Sequence, residues 1–96
     1  METAYYLIVE REVGGRRLRL LDDYATADRL IGDAADYEAG EFSGDWVGGL
    51  QLVFDASGRL AAASRIEDLG SLVRAELAAR TDWKRSQARR ERWASS

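Results

Sequence analysis

Hydrophobic and polar positions alternate along residues 5 to 13, YYLIVEREV, with Tyr5, Leu7, Val9 and Val13 on one side and Tyr6, Ile8, Glu10 and Glu12 on the other. This is the two-residue period of a β-strand. Gly14 and Gly15 follow and supply the two positive-φ positions of a tight hairpin. A two-residue turn there places Val13 opposite Arg16, Glu12 opposite Arg17, Glu10 opposite Arg19, Val9 opposite Leu20 and Ile8 opposite Leu21. A slip of one residue would separate these matched pairs, so turn chemistry and cross-strand pairing specify the same register.

The period then lengthens. Ala27, Leu30, Ile31, Ala34 and Tyr37 recur at helical spacing, with Asp23 or Thr26 as N-cap and Gly40 as the stop. The stretch EFSGDWVGG, residues 41 to 49, carries three glycines around Phe42 and Trp46 and reads as an exposed loop leading into a strand. Leu50, Leu52 and Phe54 alternate with Gln51 and Val53, Asp55 to Gly58 makes a turn, and Arg59 to Ser64 returns as the partner strand. Asp68 caps a second helix with an inward stripe of Leu69, Leu72, Val73 and Leu77, on which Glu76 and Arg80 stand at i, i+4 spacing for an ion pair.

The element order is therefore ββαββα. It predicts an α+β, two-layer fold: a four-stranded antiparallel sheet with two helices on one face, and a basic helical C-terminal extension. Residues 1 to 80 form one domain and 81 to 96 the extension. A shift of 42 residues aligns Leu18 with Leu60, Leu30 with Leu72 and Ile31 with Val73, which suggests a duplicated ββα unit over 5 to 40 and 47 to 80. Tyr6, Ile8, Leu21 and Val53 are expected on the side of the sheet away from the helices, an apolar patch for a partner, a second copy or the C-terminal tail to cover.

Composition narrows the chemistry. A chain of 96 residues with 46% hydrophobic and 32% charged residues has the balance of a folded, soluble, cytoplasmic domain. It has no cysteine and no histidine, which removes disulfides, thiolate metal sites, the commonest zinc ligand and the commonest general base. The longest apolar run, Ala4 to Val9, is far short of the roughly 20 residues that cross a bilayer. No phosphate-cradling glycine motif occurs, and the single lysine, Lys84, lies in a solvated basic run. No metal, cofactor or catalytic residue is therefore assigned, and an enzyme is not expected.

Charge is the informative feature. Asp22, Asp23, Asp28, Asp33, Asp36, Glu38, Glu41 and Asp45 face a single base, Arg29, between residues 22 and 45, a local charge of −7. One reading is a solvated helix face whose first acids favour the positive end of the helix dipole. The functional reading is a docking surface that presents carboxylates to a basic partner, as an inhibitor does when it occupies a nucleic-acid channel. Phe42 and Trp46 either anchor such a partner or fold back over the end of the core.

The C-terminal end has the opposite sign. Residues 80 to 96 hold six bases and two acids, leaving −7 on residues 1 to 79. On a continuing helix Arg85, Arg89 and Arg92 fall within about 60° of one another, on the side opposite Trp83 and close to Trp93 in sequence. This stripe suits nucleic-acid phosphates, or else the acidic surface of the same chain or of a second copy.

Together these features predict a small non-enzymatic protein-binding module that blocks a larger, nucleic-acid-handling protein through its acidic surface. Inhibitors made by phages and mobile elements, anti-CRISPR proteins among them, share this size and charge as a class. Direct nucleic-acid binding through the basic C-terminal helix is the alternative, and a small enzyme using aspartate and tyrosine a more distant one.

Overall fold

The computed structural model describes the backbone of residues 1–94 and the side chains of residues 1–83. It comprises β1 (Glu2–Val13), β2 (Arg16–Tyr24), α1 (Ala27–Glu38), β3 (Asp45–Phe54), β4 (Leu60–Arg65) and α2 (Leu69–Ala94). The strands form one antiparallel sheet in the order β2-β1-β3-β4. This is the α+β, ββαββα arrangement that the patterning predicts.

The β1–β2 hairpin has the register deduced from its sequence, from Val13 opposite Arg16 to Ile8 opposite Leu21, and extends to Tyr5 opposite Tyr24. Gly14 and Gly15 take positive φ in its turn. Leu7 and Val9 are fully buried, as are Leu30, Ala34 and Ala35 of α1, so the odd-numbered side of β1 carries the core. Thr26, not Asp23, caps α1: its hydroxyl accepts from the backbone N–H of Arg29 at 3.3 Å. Removing such a cap typically costs about 1 kcal/mol.

Three expectations change. The stretch EFSGDWVGG is a loop only as far as Gly44, because β3 already begins at Asp45, where Glu10 pairs with Asp45 and Val9 with Trp46 beyond a bulge. Gly44, at φ 114°, passes so close to β1 that a Cβ there would lie 2.6 Å from the Glu10 carbonyl oxygen. The glycine marks a close approach of chain to strand.

Second, Val53 lies on the helix side of the sheet, and Leu50, Leu52 and Phe54 share the open side with Tyr6, Ile8 and Leu21. The pairing fixes this, since Leu50 stands opposite Tyr6 while Gly49 stands opposite the buried Leu7. Ile66 and Leu69 fill the space over Gly49 from the helix side. Third, Leu69 and Val73 are buried and Leu77 packs against the core, but Leu72 is exposed. α2 packs on α1, with Leu69, Val73 and Leu77 forming the core-facing i, i+4, i+8 row, and position 72 stands off that row.

The turn from Asp55 to Gly58 forms as expected. The Asp55 carboxylate accepts the backbone N–H groups of Ser57 at 2.9 Å and Arg59 at 3.0 Å, and Gly58 takes a φ of 81°. Asp68 precedes α2, with its carbonyl accepting from Leu72 N–H, but it reaches that position in the left-handed region at φ 58°.

Candidate functional site

The acidic segment is assembled from three elements. The end of β2 contributes Asp22 and Asp23, α1 contributes Asp28, Asp33, Asp36 and Glu38, and the loop and β3 that follow contribute Glu41 and Asp45. A cleft of about 480 Å³ opens where β2 runs into α1, lined by Asp23, Tyr24, Arg29, Gly32, Asp33, Asp36 and Arg80, the last reaching in from α2.

Two hydrogen-bonded contacts hold this cleft. The Tyr24 hydroxyl donates to Asp33 Oδ2 at 2.7 Å. Burial, the hydrogen bond to Asp33, and the nearby charges of Asp33 and Asp22 all push the Tyr24 phenol above its ordinary pKa. Burial is the first of these causes, and the carboxylates add to it because a phenolate there would stand beside two negative charges. Arg80 donates to Asp36 Oδ1 at 2.7 Å, to the Gly32 carbonyl at 3.1 Å and to Glu76 Oε1 at 3.2 Å. Its guanidinium is held even more firmly protonated than usual, first by Asp36.

The ten expected partner-facing residues therefore divide. Asp33 and Asp36 are engaged by Tyr24 and Arg80. Glu38 accepts the indole N–H of Trp46 at 2.8 Å, which ties half-buried Trp46 to α1 across the end of β3. Asp45 accepts from Arg17 at 3.3 Å. Phe42 remains partly exposed while its ring meets Tyr37 edge-on, centroids 5.0 Å apart. Asp22, Asp23, Asp28 and Glu41 are exposed and make no side-chain hydrogen bond or ion pair among the described residues.

A separate charged cluster lies at the far end of the open face. Glu10 is bracketed by Arg19 at 2.7 Å and Arg17 at 2.9 Å, and these two hydrogen bonds, Arg19 first, hold its carboxyl below the usual range. On the helix side, Arg11 donates to the Tyr37 hydroxyl at 2.8 Å and to the Ser43 carbonyl at 2.9 Å, securing the loop that carries Phe42.

Asp33 and Asp36 thus have different side-chain partners, and no group of three metal-ligating side chains converges among the described residues. The local i, i+4 rule foresees Arg80 with Glu76; the longer-range pairs Arg80–Asp36 and Tyr24–Asp33 leave no periodic trace in sequence. Arg85, Arg89, Arg92 and Trp93 lie outside the described side chains, although the α2 backbone carries them as continuous helix. No helix among the described residues is long and apolar enough to cross a membrane. No protein-family model matches the chain, and no curated protein or solved structure is significantly similar to it.

Proposed function

We propose that the protein is a non-enzymatic binding module that engages a basic surface of a larger protein, such as the nucleic-acid channel of an enzyme, and thereby inhibits it. The observation that carries this reading is the placement of Asp22, Asp23 and Asp28. All three are exposed around the junction of β2 and α1, beside a cleft whose own acids, Asp33 and Asp36, are already held in place. The helix dipole accounts for Asp28 in the first turn of α1; it does not account for adjacent aspartates at the end of an edge strand. Exposed carboxylates on a rigid frame speed encounter with a cationic surface and fix the orientation of docking.

The test is affinity capture from the native host with the wild-type chain and with Asp22→Lys, Asp23→Lys and Asp28→Lys combined. The wild type is expected to retain a basic, nucleic-acid-handling protein that added salt releases, and the triple variant to lose it. Retention of the same partner by the triple variant refutes the acidic-surface reading.

A second reading is supported by the continuous helical backbone of α2 to Ala94, which gives Arg85, Arg89 and Arg92 the frame that a phosphate-binding stripe needs. Gel-shift titration at two salt concentrations tests it, because phosphate contacts weaken steeply with salt. No shift at low salt removes this reading and leaves the first untouched.

A further inference from the structure

We propose that two copies of the chain associate through β4, pairing antiparallel about a two-fold axis at Ala63 to make one continuous eight-stranded sheet. β4 is an edge strand, and each of its six residues, Leu60–Arg65, is exposed. It adds no side chain to the core. Among the described residues the helices do not cover it: α1 packs on β1, β2 and β3, and α2 packs on α1 and, through Leu69, over Gly49 of β3.

The two edges of the sheet are built differently. β2, at the opposite edge, carries Arg16, Arg17, Arg19, Asp22 and Asp23 among its nine residues, the charge that normally blunts an edge against further pairing. β4 reads LAAASR, with its only charge at the last position and no proline anywhere in the chain. Small side chains on both of its faces let another backbone approach closely.

The phase of the ladder selects the axis. Ile66 N–H donates to the Gly49 carbonyl at 2.9 Å, so by alternation Ala62 and Ser64 direct their backbone groups toward β3, while Ala63 and Arg65 direct theirs outward. Ala61 has no partner on β3 because the pairing jumps from Val53 opposite Ala62 to Phe54 opposite Leu60. A two-fold axis at Ala63 sets Ala63 against its own copy and Ala61 against the second copy's Arg65, so outward groups meet outward groups along the strand. The two Arg65 side chains then lie four residues apart, roughly 13 Å along the strand, beyond the range of strong repulsion in physiological salt. An axis at Arg65 would oppose them directly.

A second copy fits better than a foreign peptide. Strand addition draws its specificity from pockets for alternate side chains, and a strand of alanine and serine offers none. What β4 offers is its own pattern, which an identical strand matches by symmetry.

Sedimentation or light scattering over a wide concentration range is expected to show the mass rising from 10.7 kDa toward twice that value. The dimer is expected to be weak, because edge pairing alone buries less than the roughly 1,000 Å² of a stable interface. Ala63→Pro removes an outward N–H that β3 does not use, so circular dichroism should stay near native while the mass stays at 10.7 kDa throughout. Ala63→Lys, which sets like charges across the axis, gives the same result if the proline variant fails to fold. Ala63→Cys, in a chain without cysteine, should cross-link on oxidation, since paired Cα atoms about 5.5 Å apart suit a disulfide. A wild-type chain that stays monomeric, a dimer that survives Ala63→Lys, or cross-linking through Leu21→Cys on the open face but not through Ala63→Cys, overturns the proposal.

Discussion

Arg80 of α2 donates to Asp36 of α1 at 2.7 Å, 44 positions away along the chain, while a second arm of the same guanidinium reaches the Gly32 carbonyl one turn earlier on α1. α2 meets the rest of the fold through Leu69, Val73 and Leu77 near its start. Arg80 extends that attachment by a further turn, at the same point where it forms a wall of the acidic cleft. One side chain therefore couples the packing of the helices to the shape of the candidate site.

Arg80→Ala should lower stability by about 1–2 kcal/mol, the range for losing charged hydrogen bonds at a partly solvated position. In urea this is a lower midpoint with an unchanged slope. Arg80→Lys should recover only part of the loss, because an ammonium on a flexible stem does not span three acceptors on two helices as the guanidinium fork does. Full recovery with lysine would show that charge alone, and not the fork geometry, joins α1 to α2.

Adjacent glycines in β3 should respond in opposite directions. At Gly49 an added Cβ meets Ile66 Cδ1 at 2.9 Å and Leu69 Cδ2 at 3.1 Å, so Gly49→Ala forces the base of the α2 packing apart and should destabilise by about 1–3 kcal/mol. At Gly48, on the open side, nothing lies within 4 Å. Gly48→Ala should be neutral or stabilising by up to about 1 kcal/mol, since glycine weakens a strand interior. Thermal unfolding of the two variants also checks which face of β3 the helices cover.

That face was the least legible part of the fold. The β1–β2 hairpin is readable pair by pair because glycine turn, charge and hydrophobicity all agree on one register. In β3 the usual rule misleads: the alternation of Leu50, Leu52 and Phe54 marks the uncovered side, and the helix side at Gly49 is filled from above by Ile66 and Leu69. The start of β3 is hidden for a related reason, since Gly44, which permits close approach to β1, looks in sequence like a glycine that frees a loop. At the candidate site, the acidic run and the Glu76–Arg80 pair are visible as local spacing, whereas Tyr24 with Asp33 and Arg80 with Asp36 depend on the tertiary fold.

The Tyr24–Asp33 contact should give the fold a marked alkaline limit. Burial and the adjacent carboxylates raise the Tyr24 phenol in the folded chain, whereas in the unfolded chain it titrates near the ordinary value of about 10. Above that pH the unfolded chain loses a proton that the folded chain retains, so the native state binds more protons and stability falls as pH rises. The contribution is complete below about pH 10 and declines progressively above it, through the raised folded value. Denaturant unfolding at a series of alkaline pH values should show this slope in the wild type and a shallower one in Tyr24→Phe. Ultraviolet titration of the folded protein should show a phenol ionisation displaced above the ordinary value, absent from the variant. Equal slopes in the two proteins would mean that the phenol ionises as freely in the fold as in the unfolded chain, and that neither its burial nor the Asp33 and Asp22 charges oppose the anion.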